Sequence, residues 1–140
     1  DWSSDVCSSD LTAAPGVSAV FRGSFVTYAN EWKESVLGVP SAILQEHGAV
    51  SQACAEAMAR GALLEADVQL AVSVTGIAGP DGGTADKPVG LVWFGVARRG
   101  ADGHVTTRAV ERRWPPLGRA RVRRWARNKA LSLLLRPDAV

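Results

Sequence analysis

Residues Val72–Gly90 read V-S-V-T-G-I-A-G-P-D-G-G-T-A-D-K-P-V-G. An apolar strand closes at Thr75-Gly76, the chain passes through Gly79, Pro80, Gly82 and Gly83, and Pro88 and Gly90 open a second apolar strand. This is a glycine-rich loop between two buried strands. Glycine lets the backbone adopt positive φ and approach a ligand closely, so successive N–H groups can point at an anion or a developing oxyanion. The G-P, D-G and G-G pairs would equally mark a plain turn. Length favours a site, because a loop of about a dozen residues in a small domain is uncommon and is more often functional than not.

Working outward, Val68, Leu70, Val72 and Val74 alternate with Gln69, Ala71 and Ser73, which predicts a strand over 68–74 with one large and one small apolar face. Beyond the loop, 90–97 reads G-L-V-W-F-G-V-A, apolar on both faces, and predicts a central strand. The turn G-A-D-G leads into 104–114, charged enough for an edge strand, and Pro115-Pro116 stops it. Residues 117–135 predict the last helix, with Val122, Trp125, Ala126, Leu131 and Leu134 facing inward.

Upstream, Ser51 opens a predicted helix over 51–66, whose Ala53, Ala57 and Gly61 form a small-residue face able to lie close against a sheet. The run 19–28, A-V-F-R-G-S-F-V-T-Y, is rich in β-branched and aromatic residues and predicts a strand with a bulge at Gly23. Asn30 then caps a helix over 31–37 that Gly38 and Pro40 end, and Ser41 caps a brief helix to about Glu46. Three or four strands and three helices make a single-domain, layered α/β fold. The last three strands follow one another without intervening helices, so a mixed sheet is expected.

Residues 1–11, D-W-S-S-D-V-C-S-S-D-L, have neither period and resemble a translated sequencing adapter. They are set aside as an artefactual segment, with the domain at 12–136 and a tail at 137–140.

A chain of 140 residues with 46% apolar content suits one domain with one core. No apolar run reaches the roughly 18 residues a membrane span needs, and no basic-then-apolar leader is present, so a soluble, cytoplasmic protein with no membrane partner is expected. Cys7 and Cys54 make no disulfide framework or metal quartet, and Cys54 is read as a small buried helix residue. His47 and His104 fall in different elements; no metal and no cofactor is expected. A phosphate-loop signature, G-x-x-x-x-G-K-[ST], is absent.

Charge is unevenly distributed. Residues 1–111 carry 7 Lys/Arg against 13 Asp/Glu, and 112–140 carry 9 against 1. Arg112 to Lys129 holds eight basic residues and could bind a polyanion such as nucleic acid. A charge run is more often the solvated face of a helix, and that reading is adopted, with no nucleic-acid partner expected.

Taken in order, V-F-R-G-S-F-V-T-Y-A-N-E-W-K, L-G-V-P, E-H-G-A-V-S, V-T-G-I-A-G-P-D-G-G and K-P-V-G-L-V-W-F resemble the CinA C-terminal domain, the nicotinamide-nucleotide amidase family, over roughly 15–135. The resemblance implies hydrolysis of the carboxamide of nicotinamide mononucleotide to nicotinic acid mononucleotide and ammonia, a step of pyridine-nucleotide salvage. The implied partner is a small-molecule nucleotide; a homo-oligomer is left open. By motif, the family's catalytic serine falls on Ser18, its tyrosine on Tyr28 and its lysine on Lys33. Thr75, with the backbone of Gly76, Ala78 and Gly79, would bind substrate or oxyanion, and Arg119 is the nearest equivalent of an arginine suited to the phosphate.

An amide is a poor electrophile with a poor leaving group, so the chemistry needs a nucleophile, a base, an acid for ammonia and oxyanion donors. Lysine serves as a base only where burial or a neighbouring cation lowers its pKa. On the residues alone, Ser18 could simply cap a turn, Tyr28 end a strand and Lys33 sit in solvent. The resemblance also implies an N-terminal helix and a strand ending in Glu-Ser-x-Thr-Gly-Gly, which the sequence does not show. A fragment without measurable amidase activity is therefore expected.

Overall fold

The computed structural model describes residues 10–139, so Cys7 and most of segment 1–11 lie outside the described residues. A short 3-10 turn, Val17–Ala19, precedes helix α1 (Asn30–Leu37), helix α2 (Ser41–His47) and helix α3 (Gln52–Ala66). Strands β1 (Leu70–Gly76), β2 (Leu91–Arg99) and β3 (Val105–Arg113) follow, then helix α4 (Arg119–Leu135).

Strand β2 lies in the middle of the sheet, as its two apolar faces require, and pairs with β1 on one side and β3 on the other. Successive side chains of a strand point to opposite faces. Val92, Phe94 and Val96 therefore share one face, where they pack against Val122, Ala126, Ala130 and Leu133 of α4. On the other face Ala97, with Ala71 of β1, packs against Ala59 and Leu63 of α3. The result is a layered α/β domain, one helix on each side of the sheet.

Both pairings are antiparallel, so the expected mixed sheet is not formed among the described residues. The difference traces to segment 19–28, which begins in the 3-10 turn and continues without strand structure. Strand propensity is realised through cross-strand pairing and burial, and this run pairs with no strand among the described residues and buries only Thr27 fully. Val20 is 80% exposed and Val26 45%.

Local signals fare better. The helix expected from Ser51 forms, and Ser51 Oγ caps it, accepting from the Cys54 amide at 3.2 Å. Gly38 ends α1 in the left-handed conformation at φ 65°. Asn30 is not the cap it was expected to be: Ala29 holds that position, without a side-chain bond, and Asn30 lies inside the helix.

The small face of α3 also points elsewhere. A Cβ on Gly61 would lie 1.9 Å from the Leu37 carbonyl oxygen, so this face admits the end of α1 rather than the sheet. What seats α3 on the sheet is Gly95 of β2, where a Cβ would come within 2.0 Å of the Ala55 carbonyl oxygen. Ser73 locks the contact, donating to that carbonyl at 2.6 Å while accepting from the Gly95 amide.

Candidate functional site

The glycine-rich loop runs from the end of β1 to the start of β2, and its close packing is largely internal. Gly79 has φ 82°, and a Cβ there would sit 2.6 Å from Val89 Cγ1. At Gly90, φ 96°, it would meet the Trp114 carbonyl oxygen at 2.0 Å. Ile77 donates its amide to Leu91 and accepts from Gly90, which pins the two ends of the loop together. The neighbouring Ala78 and Gly79 are buried, and among the described residues their amides carry no hydrogen bond. Two adjacent free amides in a glycine-rich turn are the elements of an anion-binding nest.

Arg119, the first residue of α4, reaches back to this loop, where its Nη1 donates to the Gly79 carbonyl at 3.0 Å. A guanidinium has five N–H donors, so this bond leaves others for a ligand. Thr75 behaves differently. It is 8% exposed, and its hydroxyl donates to the Ala49 carbonyl at 2.7 Å. Its proton is thereby turned towards the chain, and its role in this structure is to hold the turn after α2 against β1.

Lys33 is buried at 6% exposure. Its ammonium donates to the Thr27 carbonyl at 2.8 Å and the Tyr28 carbonyl at 3.1 Å. Burial lowers its pKa from the ordinary lysine value, with Cys54 and Glu31 opposing that shift. The Lys33 position therefore has the low-dielectric character a lysine base needs. Tyr28 meets Lys33 through its backbone, its own side chain being 68% exposed. Ser18 sits exposed in the 3-10 turn, and no hydrogen bond joins it to Tyr28 or Lys33. The structure thus brings together Lys33 with the Tyr28 backbone and Arg119 with Gly79, and leaves the Ser18 hydroxyl and Tyr28 phenol in solvent.

Lys87 was not singled out from the sequence. It donates to the His47 carbonyl and lies against Gly48, so it ties the glycine-rich loop to the turn that Thr75 also holds. Burial raises the pKa of the Cys54 thiol, and the charges of Lys33 and Lys87 pull it the other way. Two cations thus act on one buried cysteine. The lysine of K-P-V-G carried a signal in its motif; its partner, 40 positions away, did not. Surface clefts of about 420 Å³ at Arg22–Phe25 and Ala66, and about 290 Å³ at His47, Ser51–Ala53 and Glu56, lie beside these groups. Neither is lined by Ser18, Lys33 or the glycine-rich loop.

Known proteins share this fold. The chain is 53% identical over 97 residues to the nicotinamide-nucleotide amidohydrolase PncC of Enterobacter agglomerans, covering 69% of this chain and 58% of that protein. It is 45% identical over 125 residues to a CinA-like protein of Akkermansia muciniphila, covering 89% of this chain and 29% of that protein. The crystal structure of the competence/damage inducible protein CihA from Agrobacterium tumefaciens superposes with a TM-score of 0.85 at 42% identity, over 94% of this chain and 77% of that one. The chain thus spans less than two thirds of these curated relatives. The family profile of the CinA C-terminal domain matches residues 5–137, and the chain belongs to that family.

Proposed function

We propose that the chain carries the fold and the catalytic lysine of an amidohydrolase acting on nicotinamide mononucleotide, releasing ammonia and nicotinic acid mononucleotide. The observation that carries this reading is the buried Lys33 ammonium, in a chain 53% identical over 97 residues to a protein named for that activity. Lys33 is the base, Ser18 the nucleophile it activates, and Tyr28 the group that relays a proton to the leaving ammonia. Ser18 and Tyr28 lie on the segment that leads into α1, and the reading requires that segment to bring both hydroxyls to Lys33 when substrate binds. Catalytic hydrogen bonds are often long before substrate binds.

Ala78 and Gly79 offer their free amides to the carboxamide oxygen as its charge develops, with Gly76 giving the loop its turn and Thr75 fixing the loop base. Arg119 takes the phosphate. The reaction calls on no metal, cofactor, membrane or nucleic acid, and suits a cytoplasmic enzyme of nucleotide salvage.

The test is ammonia release from nicotinamide mononucleotide. It should be run on residues 1–140 as they stand and on a chain whose residues 1–11 are replaced by the corresponding segment of the Enterobacter agglomerans protein. Turnover in the second, abolished by Lys33→Ala, is the expected result. A folded but inactive second chain would count against the amidase reading.

A further inference from the structure

The arginine-rich run of α4 was read above as a solvated face, and part of it is: Arg121 and Arg124 are exposed. Another part is not. Trp125 and Lys129, one turn apart, lie on the flank of α4 nearest β3, where the Trp125 ring stands 6.0 Å from that of Trp114. Trp114 follows β3 directly and meets Phe94 edge-on, also at 6.0 Å, so this flank is anchored to the sheet.

Strand β3 supplies the other side. Arg108, Val110 and Arg112 pair with Val96, Phe94 and Val92, the residues that face α4. Alternation therefore places both arginines on the helix side of the edge strand. Arg108 is held there by the carbonyls of Pro137 and Ala139, and Arg112 donates to the Glu111 carbonyl.

Acidic side chains are scarce here. Helix α4 has none, the Glu111 carboxylate is bound to Arg113, and Asp138 is bound to Arg98. Lys129 feels the lack: partial burial and then the charges of Arg112 and Arg108 lower its pKa. Among the described residues Arg108, Arg112 and Lys129 form no ion pair, so the three cations repel one another, and an anion between them relieves that repulsion.

We propose that the surface where Arg108 and Arg112 of β3 meet Lys129 and Trp125 of α4 is a binding site for a phosphate chain, separate from the proposed amidase centre. Spaced cations track successive phosphates, and a half-buried indole beside them can stack a base. The shared chemistry is the chain of phosphates; single-stranded nucleic acid and inorganic polyphosphate are its two sources.

The experiment uses residues 1–140 with a fluorescein-labelled oligothymidylate of roughly 15 nucleotides, long enough to span one small domain. Anisotropy is followed across a salt series, and polyphosphate is added as competitor. Binding through three cations gives a slope of log K against log salt near about −2. Arg112→Gln with Lys129→Gln should make that slope shallower by about 1.4 and weaken binding at least about tenfold at low salt. Arg121→Gln with Arg124→Gln removes the same charge from the exposed face and should change the slope by less than half as much. Arg112→Lys with Lys129→Arg keeps both charges and should bind as the parent does.

Displacement by polyphosphate at matched phosphate concentration marks the phosphates as the recognised feature. Binding of the oligonucleotide alone, lost in Trp125→Ala, marks nucleic acid as the source. Equal losses from the two glutamine pairs, or no salt-dependent binding of either ligand, would overturn the site.

Discussion

Lys33 Nζ donates to the Thr27 carbonyl at 2.8 Å, and this bond fastens the end of segment 21–28, which forms no strand, to α1. A buried ammonium satisfied by neutral carbonyls is easier to deprotonate than one paired with a carboxylate. Lys33→Ala in the active chain is therefore expected to lower ammonia release by about a hundredfold or more while nucleotide binding, followed by calorimetry, persists. Turnover within about tenfold of the parent would remove Lys33 from the chemistry.

The same residue sets a pH signature. Rate should climb with pH on a limb whose midpoint lies below 10.5, the usual lysine value, and Lys33→Met should lose that limb. Stability follows linkage. Between its lowered native pKa and 10.5, Lys33 binds more protons in the unfolded state, so its contribution rises with pH. Cys54 has the opposite sign: above 9.0 the unfolded thiol has lost a proton that the native one keeps, and stability falls. Urea unfolding of Lys33→Met should thus show a steeper alkaline loss than the parent. An unchanged pH dependence would mean that Lys33 is not shifted.

Gly61→Ala tests packing against propensity. Alanine should favour the interior of α3 by about 1 kcal/mol. Its Cβ would overlap the Leu37 carbonyl oxygen at 1.9 Å, which makes overpacking the larger effect. A net loss of about 1–3 kcal/mol by urea denaturation is expected. A stabilised variant would show that α1 can move away from α3 at little cost.

Arg119→Ala should raise KM more than it lowers kcat, because a group that holds a phosphate binds ground and transition states alike. It also frees the Gly79 carbonyl. Should Arg123→Ala give this phenotype and Arg119→Ala not, the phosphate contact lies one turn further along α4.

Signals confined to a few neighbouring residues were legible in the sequence. The two apolar faces of 90–97 placed β2 in the middle of the sheet, Ser51 marked the start of α3, Gly38 ended α1, and the glycines and prolines of 76–90 bounded the loop. Each depends on backbone conformation or side-chain period within one element, which local composition specifies. The strand at 19–28 was misread for the complementary reason: its residues suit a strand, but a strand exists only when a second segment supplies hydrogen-bond partners.

The candidate site was legible as motifs and silent as geometry. Motif spacing pointed to Lys33 and Arg119, but the burial of Lys33 and the reach of Arg119 to Gly79, 40 positions away, belong to packing. The same holds for Lys87 on the His47 carbonyl and for the charges of Arg108 and Arg112 that act on Lys129. Burial and pKa are set by every group that surrounds an atom, and contacts between distant segments leave no local mark in the chain. The sequence by itself therefore determined most of the elements and named the candidate reactive groups. Only the tertiary structure decided which of those groups lost water and which gained a partner.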